Sequence, residues 1–111
     1  MNTLSTHVLD TMHGRPAAGL GLVLSGPDGE IARGVTNADG RCPDLVQGAL
    51  TPGRYALRFA VADYFRALGV ALPDPPFLDE VAVAFGIAAD GGHYHVPLLV
   101  SPYGYSTYRG S

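Results

Sequence analysis

Histidine is the side chain best suited to acid–base chemistry near neutral pH, and three of the four histidines here lie in two short apolar segments. His7 lies in the segment LSTHVLD, and His93 and His95 lie in the segment HYHVPLLV. The fourth, His13, lies in the turn-like segment TMHGRP, where we expect it to be solvated. The pattern therefore selects His7, His93 and His95 as candidates for proton transfer.

In both segments the apolar residues recur at every second position, as in a β-strand, in which residues i and i+2 share a face. Alternation separates His93 and His95 from the apolar residues of their segment, which we expect to face a core: Tyr94, Val96, Leu98 and Val100. In the same way His7 lies opposite Val8. The histidines are therefore expected on the outer face of a sheet. The alternative is that they are three ordinary surface histidines, and two histidine-bearing strands make that alternative less attractive.

Three histidines also suggest a metal site, because three imidazoles and a water can hold a catalytic zinc. His93 and His95 have usable spacing, and His7 could complete the set. However, no carboxylate or cysteine in these segments is an obvious further partner. The sequence is therefore interpreted as carrying no metal site, and nothing in it calls for an organic cofactor.

Arg41 is the remaining candidate, and it follows the tight turn NADG, in which Gly40 is expected to supply a permissive backbone conformation. An arginine at the end of a turn is usually solvated. In a pocket its planar guanidinium would instead match a carboxylate, a urea or another oxygen-rich planar group. The sequence contains no nucleophile elbow, P-loop or dinucleotide-binding fingerprint.

The elements that must position these residues are mostly short strands. Apolar residues recur with period two in LGLVLSG, RYALRFAV and DEVAVAFGI, and turn signals separate them: GPDGE, NADGR, TPG and ADGG. One stretch, VADYFRALG, has helical spacing and ends at Gly69, and LPDPPF is expected to be an irregular connector. The pattern predicts seven or eight strands and one short helix, which is an all-β, antiparallel β-sandwich.

Composition narrows the class of protein. The 111 residues fit a single domain (1–111), and charged residues make up only 15%, as in a subunit with much of its surface buried in an oligomer. A net charge of −3 without basic stripes argues against nucleic acid as a partner. No apolar run approaches the roughly 20 residues of a membrane helix, Cys42 is the only cysteine, and the first residues lack a signal-peptide pattern. We therefore expect no membrane association and a cytoplasmic location.

Three segments of the sequence resemble a known family. LSTHVLDTMHGRPAAGL, TNADGR and HYHVPLLVSPYGYSTYRGS occur in the order found in the 5-hydroxyisourate hydrolases, the transthyretin-related enzymes of urate breakdown. The most specific part is the terminal tetrapeptide Tyr108-Arg109-Gly110-Ser111, preceded by HVPLL and SPYGYST. The central part, residues 62–92, resembles the family less distinctly.

The resemblance implies a fold, an assembly and a reaction. The fold is a transthyretin-like sandwich of two four-stranded sheets, assembled as a homotetramer (a dimer of dimers) with active sites in a channel at the dimer–dimer interface. The reaction is hydrolysis of the N1–C6 amide bond of 5-hydroxyisourate to 2-oxo-4-hydroxy-4-carboxy-5-ureidoimidazoline, without a cofactor. The family's motifs place the catalytic histidines at His7 and His95 and the arginine at Arg41, with His93 in a supporting role.

The resemblance also assigns roles. The two catalytic histidines would activate water, with Ser111 holding the geometry, and Arg41 would bind substrate and stabilise developing charge. The other terminal residues would form part of the substrate site: Tyr108, Arg109 and Gly110. Arg109 could instead hold the chain end. Transthyretin itself uses this architecture to carry thyroid hormone, so a binding module is the rival interpretation, and an inactive structural sandwich is a third.

Overall fold

The computed structural model describes residues 1–110, which form two four-stranded sheets and one helix. The first sheet has the order β2-β1-β7-β8 and the second the order β4-β3-β5-β6. The elements are β1 (Thr3–Asp10), β2 (Arg15–Pro16), β3 (Gly21–Gly26), β4 (Gly29–Val35), β5 (Gly53–Phe59), α1 (Val61–Ala67), β6 (Val81–Ile87), β7 (His93–Ser101) and β8 (Gly104–Thr107). The predicted sandwich of two four-stranded sheets with one short helix is confirmed.

The core lies between the sheets and follows the period-two pattern of the sequence. The strands β3, β5, β6 and β7 turn alternate apolar residues inward, and several of these are fully buried: Leu24, Leu57, Phe59, Leu98 and Val100. Burying one such side chain contributes roughly 1.5–3 kcal/mol. The core therefore fixes which face of β7 points outward, and that face carries the histidines.

The helix α1 packs on the sandwich through its apolar side and stops as predicted. Tyr64 and Phe65 are buried, and Gly69, with φ +82°, follows the helix in the left-handed conformation that glycine adopts without strain. The segment 72–77 contains no strand or helix, as expected. No helix within residues 1–110 is both long enough and apolar enough to cross a membrane.

The pairing of β1 with β7 differs from the antiparallel arrangement expected from the sequence, because these two strands run parallel. The other strand pairs are antiparallel. A hairpin turn forces its two strands to be antiparallel, but most of the chain lies between β1 and β7, so no turn constrains their direction. The parallel register places Thr3 opposite His93 and Ser5 opposite His95.

Candidate active site

The outer face of the sheet β2-β1-β7-β8 carries the three histidines selected from the sequence. Tyr94 and Val96 of β7 are buried, whereas His93 is exposed and His95 is half-buried. His7 of β1 is also half-buried. The predicted division of these strands into an apolar inner face and a histidine-bearing outer face is confirmed.

The turn that precedes Arg41 brings this residue to His7. The two residues form an isolated antiparallel bridge between β1 and the turn. The side-chain oxygen of Asn37 accepts hydrogen bonds from the backbone N–H groups of Asp39 (2.9 Å) and Arg41 (3.0 Å), which fixes the shape of the turn. Within residues 1–110 the guanidinium of Arg41 has no hydrogen-bond partner, and the residue is exposed. It is therefore available to a ligand on the histidine-bearing face.

Gly40 is required in this turn for two reasons. Its φ of +74° lies in the left-handed region that side chains other than glycine rarely adopt. A Cβ at this position would also overlap the carbonyl oxygen of Val8, and the carbonyl of Gly40 accepts a hydrogen bond of 2.8 Å from the N–H of Val8. The permissive conformation predicted for Gly40 is confirmed. Together with the absence of a side chain, it allows the backbone of the turn to pack directly on the backbone of β1.

The tautomer of neutral His7 follows from its contact with the same turn. Its Nε2 lies 2.8 Å from the carbonyl oxygen of Asp39. A carbonyl oxygen only accepts hydrogen bonds, so Nε2 carries the proton and donates it to this contact. In the neutral ring the lone pair is therefore on Nδ1, which is the nitrogen of His7 that can accept a proton.

The pKa of His95 is shifted by burial and by its neighbours on the histidine-bearing face. Burial lowers the pKa of His95 below its ordinary value, and the nearby Arg41, His7 and His93 lower it further. The ring is therefore neutral at neutral pH and has a lone pair with which to accept a proton. The structure thus brings together three of the predicted residues, namely Arg41, His7 and His95.

The chain end lies against the same histidine. Gly110 forms a bridge with His95, in which the N–H of Gly110 donates a hydrogen bond of 2.8 Å to the carbonyl of His95. A Cβ on Gly110 would lie 2.5 Å from the ring atom Cδ2 of His95, so the backbone of residue 110 touches the imidazole. Ser111, which the resemblance places beside the histidines, lies outside the described residues.

Arg109 anchors this chain end to the sandwich. Its guanidinium donates hydrogen bonds to the carbonyl oxygens of Gly91 (2.7 Å) and His93 (3.2 Å), and its central carbon lies 4.0 Å from the centre of the Tyr94 ring. A guanidinium over an aromatic ring is a cation–π contact. This geometry favours the second role considered for Arg109, that of holding the chain end.

Tyr108 is a predicted site residue that faces elsewhere. It is exposed and lines a cavity of about 270 Å³ at the edge of the sandwich, together with Val83, Phe85, Tyr94 and Thr107. None of the three outward histidines lines this cavity. Within one chain the structure therefore does not bring Tyr108 to the cluster of His7 and His95.

His13 is exposed in its turn, as expected, and its ring also contacts a buried carboxylate. Its backbone N–H and its Nδ1 lie 3.0 Å and 2.6 Å from the two carboxylate oxygens of Asp10, which is fully buried and also accepts a hydrogen bond of 2.8 Å from the Tyr64 hydroxyl. Burial by itself would raise the pKa of Asp10, but the hydrogen bonds from His13 and Tyr64 outweigh it and lower that pKa. A buried carboxylate needs such donors, and His13 supplies two of them.

Cys42 follows Arg41 and packs inward. Its sulfur lies so near the backbone of Gly34 that a Cβ there would approach it to 2.7 Å. Burial raises the pKa of the thiol, and the charge of Asp44 raises it further. The thiol is thus poorly suited to act as a nucleophile. Within residues 1–110 no three side chains of the metal-binding types are grouped to hold an ion.

Two contributors to the site were missed from the sequence, namely Ser5 and Asn37. Ser5 contacts both His93 and His95, and Asn37 shapes the turn that carries Arg41. Alternation along β1 places Ser5 on the same face as His7, which was an available signal. The contact with β7 was not predictable in this way, because it depends on the parallel register of two distant strands.

A family model described as the HIUase/Transthyretin family matches residues 4–110. The chain belongs to this family. The curated 5-hydroxyisourate hydrolase of Pseudomonas aeruginosa is 53% identical over 117 residues, which cover 100% of this chain and 93% of that protein. The family resemblance stated from the terminal and central motifs is confirmed.

Solved structures of the HIUase/transthyretin family share the fold. The 5-hydroxyisourate hydrolase of Klebsiella pneumoniae has a TM-score of 0.86 and 38% identity, covering 98% of this chain and 99% of that one. Sea bream transthyretin in complex with thyroxine has a TM-score of 0.85 and 32% identity, covering 96% and 93%. An (S)-allantoin synthase has a TM-score of 0.88 and 41% identity over 99% of this chain, which spans only 44% of that longer protein.

Proposed function

We propose that this protein hydrolyses 5-hydroxyisourate to 2-oxo-4-hydroxy-4-carboxy-5-ureidoimidazoline in urate breakdown. The observation that carries the proposal is the meeting of His7, Arg41 and His95 on one face of the sheet, from three separate segments of the chain. Relatives that bear the name 5-hydroxyisourate hydrolase and cover the whole chain support it. The reaction needs a base for water, a cation for developing negative charge and a proton for the leaving nitrogen.

The histidines provide the proton transfers. A neutral imidazole takes a proton from water, and the oxygen of that water forms a bond to C6 of the substrate. General acid–base catalysis of this kind contributes typically about 10²–10⁴-fold. The lowered pKa of His95 makes its ring a base at neutral pH, and Nδ1 of His7, which carries the lone pair of that neutral ring, is the second candidate. The resulting imidazolium then protonates N1 as the N1–C6 bond breaks, so the reaction consumes one water and no other reagent.

Arg41 stabilises the charge that forms between these proton transfers. Attack of water at C6 creates a tetrahedral oxyanion, and a positioned cation beside it lowers the barrier. The guanidinium of Arg41 is exposed on the histidine-bearing face and matches a planar, oxygen-rich ring. The substrate site is completed in this proposal by Tyr108, Gly110 and Ser111, and Arg109 holds this terminal segment against the sandwich.

We further propose that the working unit is a cytoplasmic homotetramer, a dimer of dimers. The orientation of Tyr108 supports an oligomer, because this residue does not reach the cluster of its own chain and would need a second subunit to contribute to a site. Sedimentation of the untagged protein tests this part. A tetramer is the expected result, and a monomer with full activity would refute it.

The experiment on the reaction uses freshly generated 5-hydroxyisourate, whose ultraviolet absorbance falls as the ring opens. Addition of the protein should accelerate the decay far beyond the spontaneous rate, and a chelator should leave the rate unchanged. The variants His7→Ala, Arg41→Ala and His95→Ala should each lose most of the acceleration. Decay at the spontaneous rate, combined with saturable binding of thyroxine, would favour the carrier function instead.

A further inference from the structure

A chain of hydrogen bonds runs along the outward face of β1 and β7 to His95. The hydroxyl of Thr3 lies 2.6 Å from Nδ1 of His93, and Nε2 of His93 lies 2.9 Å from the hydroxyl of Ser5. The same Ser5 hydroxyl lies 2.7 Å from Nδ1 of His95. The parallel register produces this chain, since it sets Thr3 opposite His93 and Ser5 opposite His95.

Two polarities let a hydrogen pass along this chain from one ring to the other. The Ser5 hydroxyl has a single hydrogen, and both of its neighbours are ring nitrogens. When Ser5 donates to His93, it must accept the N–H at Nδ1 of His95, and the lone pair of His95 is then on Nε2. When Ser5 donates to His95, the lone pair of His95 is occupied at Nδ1 and Nε2 carries the hydrogen. The hydrogen of one serine therefore decides which nitrogen of His95 is basic.

We propose that Ser5 and His93 are positioning residues that hold His95 with its basic nitrogen at Nε2 and share the proton that this ring takes up. Of the two polarities, only the one that frees Nε2 of His95 lets the exposed His93 take up the charge. The tautomeric part of the proposal can be tested without any turnover. The part concerning turnover rests on the proposed hydrolase function, in which His95 acts as the base.

The proton movements balance without another reagent. When Nε2 of His95 accepts a proton from water, the N–H bond at Nδ1 breaks and its proton passes to the oxygen of Ser5. The original O–H bond of Ser5 breaks at the same time, and that proton forms a new bond to Nε2 of His93. The positive charge thus leaves His95 and appears on His93. Reversal of the same steps returns the proton for the leaving nitrogen.

The surroundings of the two rings favour this displacement of charge. His95 is half-buried and faces the fixed positive charge of Arg41, which opposes a charge on its own ring, and His7 and His93 oppose it further whenever they are protonated. His93 is exposed, so water stabilises the imidazolium there. The hydroxyl of Thr3 can form a hydrogen bond with Nδ1 of His93 in either polarity, since a hydroxyl can both donate and accept.

The test compares Ser5→Ala with Ser5→Thr, which restores the hydroxyl, and with Ser106→Ala, a matched change on the exposed strand β8. Nitrogen-15 NMR of histidine-labelled protein reports the tautomer of His95 without any turnover. We expect His95 to carry its hydrogen on Nδ1 in the unmodified protein, in Ser5→Thr and in Ser106→Ala, and to populate both tautomers in Ser5→Ala. An unchanged tautomer in Ser5→Ala would overturn the proposal.

Kinetics tests the part that concerns turnover. Loss of a hydrogen bond to a group that becomes charged in the reaction typically costs about 10–100-fold in rate. Ser5→Ala should lower kcat by that factor with little change in KM, and Ser5→Thr should recover most of it. A tautomer change without a change in kcat would overturn the catalytic role of the chain. If the unmodified protein does not accelerate ring opening at all, the proposed function fails, while the NMR result still decides whether Ser5 controls the tautomer.

Discussion

The substitution Gly110→Ala tests whether the chain end and His95 form one site. Within residues 1–110 the backbone of Gly110 is hydrogen-bonded to β7, and its φ is not in the left-handed region, so alanine meets no conformational penalty there. The added Cβ would lie 2.5 Å from Cδ2 of the His95 ring and 3.2 Å from both Cβ and Cγ. The three atoms that this Cβ would meet first all belong to His95.

The size of the effect follows from these distances. Ordinary contact begins at 3.4 Å, so the ring or the chain end must move by about 0.9 Å. The ring cannot move freely, because Ser5 holds its Nδ1 at 2.7 Å. A misplacement of about 1 Å in a catalytic group can cost on the order of 100-fold in rate, which corresponds to about 2.7 kcal/mol of activation free energy.

The assay is the acceleration of 5-hydroxyisourate ring opening by Gly110→Ala, with Gly104→Ala as the control. A Cβ on Gly104 meets only the hydroxyl of Ser101, at 3.8 Å, so this nearby change should be silent. We expect kcat to fall by about 100-fold in Gly110→Ala alone. Equal rates in both variants and the unmodified protein would refute the contact between the chain end and a reacting imidazole.

Three further predictions concern the electrostatics and the anchoring of the site. Arg41→Met removes a charge that lowers the pKa of His95, so an NMR titration of that ring should have its midpoint at higher pH. An unchanged midpoint contradicts the claim that Arg41 lies close enough to His95 to act on its ring. Tyr64→Phe removes a hydrogen bond to the buried carboxylate of Asp10 and should cost about 1.5–3 kcal/mol in urea unfolding at neutral pH. The pKa of Asp10 is lower in the folded protein than in the unfolded chain, so this carboxylate stabilises the fold above its unfolded pKa, and the stabilisation is lost as the pH falls through the folded pKa. The stability cost of Tyr64→Phe should therefore shrink in acid. A cost that does not change with pH contradicts this account. Arg109→Met should lower kcat by releasing the chain end, and an unchanged kcat contradicts the anchoring role.

The strands and their buried faces were predictable because a strand has a period of two. The alternation around Tyr94 and Val96 gave the inward face of β7 and, by elimination, the outward position of its histidines. Gly40 was predictable for a similar local reason, since the turn NADG needs a residue that tolerates a positive φ. These features depend on a few neighbouring residues.

The contacts among the site residues depend instead on which distant segments pair. The parallel register that joins Ser5 to both His93 and His95 has no local signature in the sequence. The contact of His13 is local by comparison, because the carboxylate that it meets belongs to Asp10, three residues earlier in the chain. The resemblance to a family pointed to His7, Arg41 and His95, but not to the serine that connects the two histidines of β7.

The central claim is that His7 and His95 work together on one substrate, and a double-mutant cycle tests it most directly. The rates of 5-hydroxyisourate ring opening are measured for His7→Asn, His95→Asn and the double variant, after circular dichroism has shown that all three are folded. Groups that act as a unit are strongly non-additive, so the double variant should be scarcely slower than the slower single variant. Losses that multiply, or a wild-type rate in either single variant, would contradict the claim.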